Sequence, residues 1–356
     1  MNSQLTKEQI TQWLREADEQ KLETLWQEAN AVRKEQVGDA VHLRGLIEVS
    51  NYCVRHCAYC GLAADNAQLE RYRMRAEEIY ACAQKAVEFG YGTVVMQAGE
   101  DYGIGSEWLA DIIEHIKKTT PLAVTLSMGE RPFDDLQLWR QAGADRYLLR
   151  FETSDTRLYN QIHPPRPGQT TNRFDILQQL RELGYEVGSG VMIGIPGQSF
   201  DTLADDILFL GEFDMDMVGV GPYIANPATP LGRGDIPIEI DPDKQVPNSE
   251  LMTYKVVSLI RLVCPQANIP STTALATINR DSGRELGLSR GANVVMPNIT
   301  PAEYRNKYEI YPGKACLNET AEVCRGCLRG RIASIGRHIG DGPGSRTHKS
   351  DQSQTE

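Results

Sequence analysis

The sequence predicts an α/β fold, a complete (β/α)8 TIM barrel, and three observations support this fold class. From residue 43 onward, short apolar runs alternate with amphipathic segments of helical length. Gly90, Gly143 and Gly184 follow three helical segments, where a left-handed residue commonly ends a helix. Polar residues and glycines gather where the apolar runs end, as expected of a barrel whose active site lies at the carboxyl ends of its strands.

An N-terminal extension, residues 1–40, precedes this pattern. Thr6 and Gln9 predict a capping box, and two helical patterns follow up to residue 36, which we interpret as a lid or a packing layer under the barrel. The strands of the barrel domain, residues 41–300, are predicted at 43–49, 93–97, 123–127, 146–151, 187–193, 217–220, 269–273 and 293–297. The intervening helices are predicted at 75–89, 106–118, 133–142, 173–183, 200–212, 248–263 and 281–289. An open doubly wound sheet is the alternative, but its glycine-rich dinucleotide motif is not found.

A C-terminal extension, residues 301–339, carries three cysteines, and residues 340–356 are predicted to be disordered and dispensable. The formal net charge is −11, and no basic block interrupts it, which disfavours nucleic acid or an anionic membrane as a partner. The N-terminus has no apolar core of a signal peptide, and no run reaches the roughly 20 apolar residues of a membrane span. We therefore expect a cytoplasmic protein, in which clustered cysteines are metal ligands rather than disulfides.

Three of the eight cysteines, Cys53, Cys57 and Cys60, have the spacing C-x3-C-x2-C. On a helix they would form one buried stripe, but a rise of about 1.5 Å per residue would place Cys53 and Cys60 roughly 10 Å apart. A shared metal therefore requires a curled loop after the first strand. Three thiolates leave one iron of a [4Fe–4S] cluster open, which indicates chemistry rather than electron transfer alone. A zinc site that includes His56 and plain core cysteines are the alternatives.

Two strand ends carry further candidate residues. Ala98-Gly99-Glu100 follows the second strand, where small residues let backbone carbonyls approach a bound ammonium group. Arg150 and Glu152 are two residues apart at the end of the fourth strand, so both point to the same side, which we interpret as the lumen. The structural alternatives are an ordinary β–α turn and an Arg–Glu ion pair.

The cysteine motif, with Tyr59 as its aromatic residue, resembles the signature of the radical S-adenosylmethionine (SAM) superfamily. Residues 95–101, 147–153, 216–222 and 291–298 resemble the HydE family of [FeFe]-hydrogenase maturases, relatives of biotin synthase and methylornithine synthase. The resemblance implies a [4Fe–4S] cluster on the three cysteines and reductive cleavage of SAM to a 5′-deoxyadenosyl radical. It also implies a role in assembling the diiron subcluster of the hydrogenase.

The resemblance further implies roles for single residues, although Ala98 replaces the first glycine of the usual Gly-Gly-Glu motif. Residues expected to bind SAM are Tyr59, Ala98, Gly99, Glu100, Ser127, Arg150, Glu152, Arg173 and Met192, with Arg173 as a fork for its carboxylate. Residues expected to line the lumen and contact substrate are Thr125, Thr272, Thr273, Thr277 and Tyr308.

Cys316, Cys324 and Cys327, with the spacing C-x7-C-x2-C, resemble an accessory-cluster site found in part of that family. Three thiolates without a clear fourth ligand are compatible with a [2Fe–2S] cluster completed by water or another group. A zinc knuckle and free thiols are the alternatives. Cys82 and Cys264 lie in helical patterns and are interpreted as packing residues.

The expected partners follow from the same resemblance. They are a small organometallic or amino-acid-derived substrate, the maturases HydF and HydG, and an electron donor such as ferredoxin or flavodoxin. A methylornithine synthase-like or biotin synthase-like enzyme is an alternative, as is a non-catalytic iron–sulfur electron carrier. Sulfur insertion of the biotin synthase kind needs a second cluster in the lumen. The C-terminal cysteines follow the eighth predicted strand, outside the predicted barrel, and this position argues against sulfur insertion.

Overall fold

The computed structural model describes residues 5–166, 172–317 and 319–346. The helices are α1 (Lys7–Arg15), α2 (Glu19–Val37), α3 (Ala76–Glu88), α4 (Ser106–Thr119), α5 (Phe133–Gln141), α6 (Thr156–Ile162), α7 (Arg173–Glu182), α8 (Phe200–Glu212), α9 (Pro230–Arg233), α10 (Glu250–Val263), α11 (Thr273–Ile278), α12 (Gly283–Ser289), α13 (Ala302–Arg305) and α14 (Ala321–Ser334). The strands are β1 (Ala40–Ser50), β2 (Thr93–Ala98), β3 (Ala123–Ser127), β4 (Arg146–Leu148), β5 (Glu186–Ser189), β6 (Met192–Ile193), β7 (Met217–Val218), β8 (Gly221–Pro222), β9 (Val294–Val295) and β10 (His338–Ile339).

The main sheet is parallel and curled. Its order is β10-β1-β2-β3-β4-β5-β7, and β9 also pairs with β1, so that β1 has neighbours on both edges. Between β7 and β9 the pairing is reduced to isolated bridges, from Met217 to Asn268 and from Pro270 to Val294. The predicted α/β class and parallel sheet are confirmed, and the regular strands form a partial barrel.

The prediction of a complete barrel of eight regular strands is wrong at the seventh strand, residues 269–273. Pro270 has no N–H to donate to a ladder. Thr272 instead caps α11, because its hydroxyl accepts a hydrogen bond from the backbone N–H of Leu275. The chain therefore turns into a helix where the pattern predicted the end of a strand.

The predicted fifth strand is divided by Gly190, which has a φ of 158°. A Cβ at this position would lie 1.9 Å from the carbonyl oxygen of Gly219, so only glycine allows the two backbones to approach this closely. The chain leaves the main ladder after Ser189 and resumes as β6, which pairs with β8 in a separate two-stranded sheet.

The N-terminal helices form the predicted packing layer on the outer helices. The capping box of α1 is present, with the Thr6 hydroxyl accepting from the Gln9 N–H and the Gln9 side chain accepting from the Thr6 N–H. Ile10 and Leu14 of α1 and Leu25 of α2 are fully buried. Lys255 of α10 donates a hydrogen bond of 2.9 Å to the carbonyl of Leu14, which fixes this layer to the domain.

The predicted disorder of residues 340–356 is wrong for residues 340–346; residues 347–356 lie outside the described part. The Gly344 carbonyl accepts hydrogen bonds from Arg44 and from Asn268, at 3.1 and 3.0 Å. The buried Arg146 donates to Ser345 Oγ at 2.8 Å. Residues 340–346 therefore lie at the amino-terminal end of the strands, where they satisfy buried guanidinium groups that otherwise lack these acceptors.

Deleting residues 340–356 is therefore expected to destabilise the protein, whereas deleting residues 347–356 keeps every contact described here. Loss of the acceptors of Arg44 and Arg146 should cost several kcal/mol, since buried charged donors without partners are costly. We expect the longer deletion to lower the Tm by roughly 5 °C or more relative to the shorter one. Differential scanning fluorimetry of the two variants checks this, and equal Tm values would contradict it.

None of the helices in the described part of the chain combines the length and apolar character needed to cross a bilayer.

Candidate active site

The loop between β1 and α3 carries Cys53, Cys57 and Cys60, and it is irregular, as predicted. Arg71 holds it from within, donating hydrogen bonds to the carbonyls of Asn51, Leu62 and Ala63 at 2.6–2.8 Å. A guanidinium group has five N–H donors and can satisfy several carbonyls that a curled backbone leaves unpaired. The loop is thereby fixed in a non-helical form in which the three thiols can face one site.

Cys57 is buried, with 8% of its surface exposed, and Cys53 and Cys60 are partly buried. Burial raises the pKa of all three, to about 12 for Cys60. Thiolates in such surroundings need a cation, and metal ions supply that charge when they displace the thiol protons. Hydrogen bonds reach two of the sulfurs, from the backbone N–H of Glu100 to Cys53 Sγ at 3.4 Å and between His163 Nδ1 and Cys57 Sγ at 2.9 Å. The donor set fits an iron–sulfur cluster.

A buried ionic network lies behind this loop. Arg55 donates to Glu100 Oε1 at 2.8 Å and is also paired with Glu130, which receives a second hydrogen bond of 2.8 Å from Arg173 Nε. The Arg55, Glu100 and Glu130 side chains are each 3–4% exposed. Removing one member would leave a buried charge without its partner, at a typical cost of about 3–5 kcal/mol. The network therefore fixes the cysteine loop to the ends of β2 and β3.

A cavity of about 350 Å³ opens beside Cys53 and Cys60. The strands contribute side chains to it at every second position, because alternate residues of a strand face the same side. These residues are Arg44, Leu46 and Glu48 of β1, Val95 and Gln97 of β2, Thr125 and Ser127 of β3, and Leu148, Arg150 and Glu152 in and after β4. The cavity thus has apolar walls that carry several polar and charged groups, beside two of the thiols.

Unsatisfied polar atoms at this cavity indicate a ligand. In the described part of the chain, Arg150 Nε and Thr125 Oγ1 are buried without a hydrogen-bond partner. Glu152 Oε2 lies 3.0 Å from Arg150 Nη2, without the geometry of a hydrogen bond. Glu152 also has a φ of 65°, which is uncommon for a residue with a side chain. Buried polar groups in native proteins normally find partners, so a polar molecule in the cavity would complete this site.

The comparisons with known proteins agree with this geometry. The model of the radical SAM superfamily matches residues 47–210. The [FeFe] hydrogenase maturase subunit HydE of Thermotoga maritima is 46% identical over 327 residues, covering 91% of this chain and 89% of that protein. The chain belongs to the HydE family. It is accordingly a radical SAM enzyme, and the predicted enzyme class is confirmed.

Two lower similarities are to methylornithine synthases. The 3-methylornithine synthase of Methanosarcina acetivorans is 28% identical over 84% of this chain and 81% of that protein. A crystal structure of methylornithine synthase superposes with a TM-score of 0.78 at 24% identity, covering 99% of this chain and 97% of that one. That superposition shows a common fold, and the HydE family assignment depends on the much higher identity to the maturase.

Most residues predicted to bind SAM lie at the cavity of this HydE-family chain. The predicted SAM-binding residues that line it, together with the cluster cysteines Cys53 and Cys60, are Tyr59, Ala98, Gly99, Ser127, Arg150, Glu152 and Met192. Of the predicted substrate residues, Thr125, Thr272, Thr273 and Tyr308 also line it. Thr277 does not, because its hydroxyl donates to the Thr273 carbonyl at 2.8 Å and accepts from the Ala315 N–H at 3.0 Å.

Arg173, predicted as a fork for the SAM carboxylate, lies behind the cavity wall. Arg173 does not line the cavity; its guanidinium group donates to Glu130 and to the Arg150 carbonyl and lies 3.1 Å from His163 Nε2. Glu100 also lies outside the lining and is paired with Arg55. Both residues join the elements that form the site through their ion pairs, and their contact with SAM stays a prediction.

The turn after β2 requires a residue without a side chain at Gly99. A Cβ at Gly99 would lie 2.2 Å from the Tyr52 carbonyl oxygen and 2.9 Å from Cys53 Cβ. The turn after β2 thereby packs directly on the cysteine loop. The substitution of alanine for the first glycine of the family motif, at Ala98, leaves this contact unaffected.

Several residues of the site were missed in the sequence. Lys314 is paired with Glu48 inside the cavity, Asn298 Nδ2 donates to the same carboxylate at 2.9 Å, and Arg44 lies on the same strand as Glu48. The period-two pattern Arg44, Leu46, Glu48 was a readable signal for a polar lumen face of β1. Nothing near Lys314 in the sequence indicated its partner.

The C-terminal cysteines form a second site. The Sγ atoms of Cys316 and Cys324 and a carboxylate oxygen of Glu319 lie within 4.8 Å of one another. Cys327 lines the same small cavity. Cys316 has a φ of 64°, and a hydrogen bond from Cys324 lowers its pKa to about 6. A carboxylate and two or three thiols fit a metal centre, and Glu319 is a nearby oxygen donor that the sequence did not indicate.

Asp206 of α8 supports the strained turn that carries Glu152. Its carboxylate accepts a hydrogen bond of 2.6 Å from the Ser154 N–H, and Oδ2 has no partner within the described residues. Burial raises the pKa of Asp206 to about 7. The turn after β4 is thus held from behind by a carboxyl group that titrates near neutrality.

Asp206→Asn should therefore change the pH dependence of stability. The folded-state pKa of Asp206 is raised above the ordinary value near 3.8. The contribution of the protonated carboxyl group to the free energy of unfolding is therefore complete below pH 3.8 and is lost as the pH rises towards 7. Ionisation of the wild-type carboxyl group lowers the free energy of unfolding by a few kcal/mol at most, because each unit of pKa shift corresponds to about 1.4 kcal/mol. Urea unfolding of the metal-free proteins should show the variant gaining stability relative to wild type between pH 5 and pH 8. The same difference at both pH values would contradict this.

Proposed function

We propose that this HydE-family enzyme holds a [4Fe–4S] cluster on Cys53, Cys57 and Cys60 and cleaves SAM reductively in assembly of the [FeFe]-hydrogenase diiron subcluster. The observation that carries the proposal is the position of two of these cysteines at the wall of a cavity whose other walls contain Arg150 and Thr125 atoms without a hydrogen-bond partner among the described residues. The cluster and SAM together supply the electron and the 5′-deoxyadenosyl group for radical chemistry.

Some residues around the cavity are proposed to bind SAM, and others are proposed to exclude water. Arg150 and Glu152 offer a donor and an acceptor to the methionine and ribose parts of SAM, and the Ala98 and Gly99 backbone lies beside Cys53 for the amino group. Tyr59, Met192 and Tyr308 contribute apolar surface and are at most partly exposed. A shielded cavity prevents a reactive radical from meeting solvent.

The substrate is proposed to be a small organometallic or amino-acid-derived molecule bound in the deeper part of the cavity. Thr125, Thr272, Thr273 and Tyr308 present hydroxyl groups there, and Arg44 gives the wall a cationic character, whereas Lys314 is paired with Glu48. A molecule with a carboxylate or another anionic ligand suits such a wall. Maturation in concert with HydF and HydG, in the cytoplasm and with ferredoxin or flavodoxin as reductant, completes the proposal.

We also infer that Cys316, Cys324 and Cys327 bind an accessory iron–sulfur cluster, with [2Fe–2S] as the expected type. The support for this inference is the grouping of Cys316, Cys324 and Glu319, since a carboxylate can complete a three-thiol site. This site lies apart from the cavity beside Cys53 and shares no lining residue with it. Its role is therefore proposed to be separate from SAM cleavage.

Three experiments test the proposed function. Anaerobically reconstituted enzyme, treated with dithionite and SAM, should release 5′-deoxyadenosine, and its failure to do so would overturn the SAM chemistry. A host deleted for its own HydE gene should regain active [FeFe]-hydrogenase when it expresses this chain. Incubation with lysine should give no methylornithine; formation of that product would assign the chain to the other branch.

A further inference from the structure

His163 lies between the cysteine loop and the ionic network. It follows the last turn of α6, and its side chain is 3% exposed. Its Nδ1 lies 2.9 Å from Cys57 Sγ, and its Nε2 lies 3.1 Å from Arg173 Nη2. Both ring nitrogens of this buried imidazole are thus engaged, one of them by a thiol of the cysteine motif.

The contact with Arg173 fixes which nitrogen carries the proton. A guanidinium group can only donate, so Nε2 must accept and Nδ1 must hold the N–H. Glu130 Oε1 is the other group near Nε2, at 3.5 Å, but it already accepts a hydrogen bond of 2.8 Å from Arg173 Nε. A separation of 3.5 Å is at the outer limit of a hydrogen bond. The ring therefore donates from Nδ1 to the sulfur of Cys57.

We propose that His163 raises the reduction potential of the cluster held by Cys53, Cys57 and Cys60 through this N–H···S hydrogen bond, an inference that rests on the proposed function. Reduction adds one electron from the donor and breaks no bond. The added negative charge is shared by the sulfur ligands, and a hydrogen bond to one of them stabilises it. His163 is thus a positioning and tuning residue for the electron-transfer step.

The surroundings explain why the hydrogen bond is rigid. Arg173 is held by Glu130 and by the Arg150 carbonyl, and Glu130 is held by Arg55. The histidine ring therefore cannot turn away from Cys57 without losing its contact with Arg173. A fixed donor acts on the potential at no reorganisation cost when the electron arrives. The same chain of contacts connects the ring to the backbone of Arg150 at the cavity.

Anaerobic redox titration followed by EPR tests the proposal on reconstituted full-length enzyme without SAM. The signal that changes when SAM is then added identifies this cluster among any others. His163→Leu, which has no donor, should lower the ratio of reduced to oxidised cluster at a fixed potential by about fivefold, the equivalent of one ordinary hydrogen bond. His163→Asn places an amide N–H near the position of Nδ1 and should restore most of the wild-type ratio.

His56→Leu is the matched control, because His56 adjoins Cys57 in the chain but pairs with the exposed Asp65 at 2.7 Å. It should titrate as wild type. An unshifted His163→Leu enzyme with full iron content would overturn the proposal, as would equal shifts in His163→Asn and His163→Leu.

A measurement on the unmodified enzyme covers the case in which His163→Leu binds no cluster. Reduced enzyme labelled with ¹⁵N-histidine should show a ¹⁵N hyperfine coupling in pulsed EPR, and its absence would overturn the hydrogen bond. If the wild-type enzyme binds its cluster but does not cleave SAM, the proposed function fails while both measurements still decide the role of His163.

Discussion

Cys57→Ser enzyme should form no 5′-deoxyadenosine from SAM and dithionite, whereas Cys324→Ser enzyme should keep most of this activity. Cys57 lies in the loop beside the cavity, is buried, and has no alternative thiol within the loop beyond the two that the cluster already requires. Cys324 lies on α14 and lines a separate small cavity with Cys316 and Cys327. Quantification of 5′-deoxyadenosine by liquid chromatography measures the effect.

Iron and sulfide analysis of both variants separates the two sites. Cys57→Ser should lose iron and the broad absorption of a [4Fe–4S] cluster, while Cys324→Ser should lose only the accessory contribution. Cys82→Ser is a matched control, since Cys82 is buried on α3, where its thiol donates to the Ile299 carbonyl at 3.5 Å. Equal loss of SAM cleavage in the Cys57 and Cys324 variants would show that the second site takes part in catalysis.

Many elements of the fold could be predicted from local patterns, although α6 and α14 were not predicted despite their capping residues Asp155 and Thr320. Helix boundaries agreed closely, since caps such as Thr6, Asn172 and Ser199 are local signals. The short helix α11 was missed because Thr272, its cap, follows an apolar run that is equally typical of a strand. Residues 340–346 were misassigned because glycine, serine and threonine predict disorder by composition, while their acceptors are used by distant arginines.

Some residues of the candidate site could likewise be predicted from the sequence, and others could not. The cysteine motif and the strand ends at Gly99, Arg150 and Glu152 could be read from short segments, since spacing along a strand determines which side chains share a face. His163 and Lys314 could not be read in this way. Their partners, Cys57 and Glu48, are 106 and 266 positions away in the sequence. Only the fold brings such pairs together, and it likewise places Arg173 beside Glu130 and His163.

The cationic lumen follows from this long-range pairing. Burial lowers the pKa of Arg44 to about 9, which still leaves the group charged at neutral pH. Lys314 is neutralised by Glu48, whereas Arg44 Nε has no hydrogen-bond partner among the described residues. The deeper part of the cavity thus retains a positive charge without an equivalent negative one. An anionic group on the substrate would offset it.

Arg150→Ala should weaken SAM binding by about 2 kcal/mol, roughly thirtyfold in Kd, the usual effect of losing a hydrogen bond to a charged group. Arg150 lines the cavity, and its Nε lacks a partner in the described part of the chain. Anaerobic calorimetry on reconstituted enzyme measures the Kd. Arg157→Ala, at an exposed position of α6, is the matched control and should bind SAM as wild type.

The ion pair between Arg150 and Glu152 gives an alternative explanation of any such loss, because Arg150→Ala leaves the Glu152 carboxylate without its neighbour at 3.0 Å. The double variant Arg150→Ala, Glu152→Gln distinguishes the two explanations. If the pair is only structural, removing both charges should restore SAM binding. If both side chains contact SAM, the double variant should bind at least as weakly as either single variant. We expect the second result, since Arg150 Nη2 also donates to the Val191 carbonyl at 2.6 Å and is positioned without Glu152.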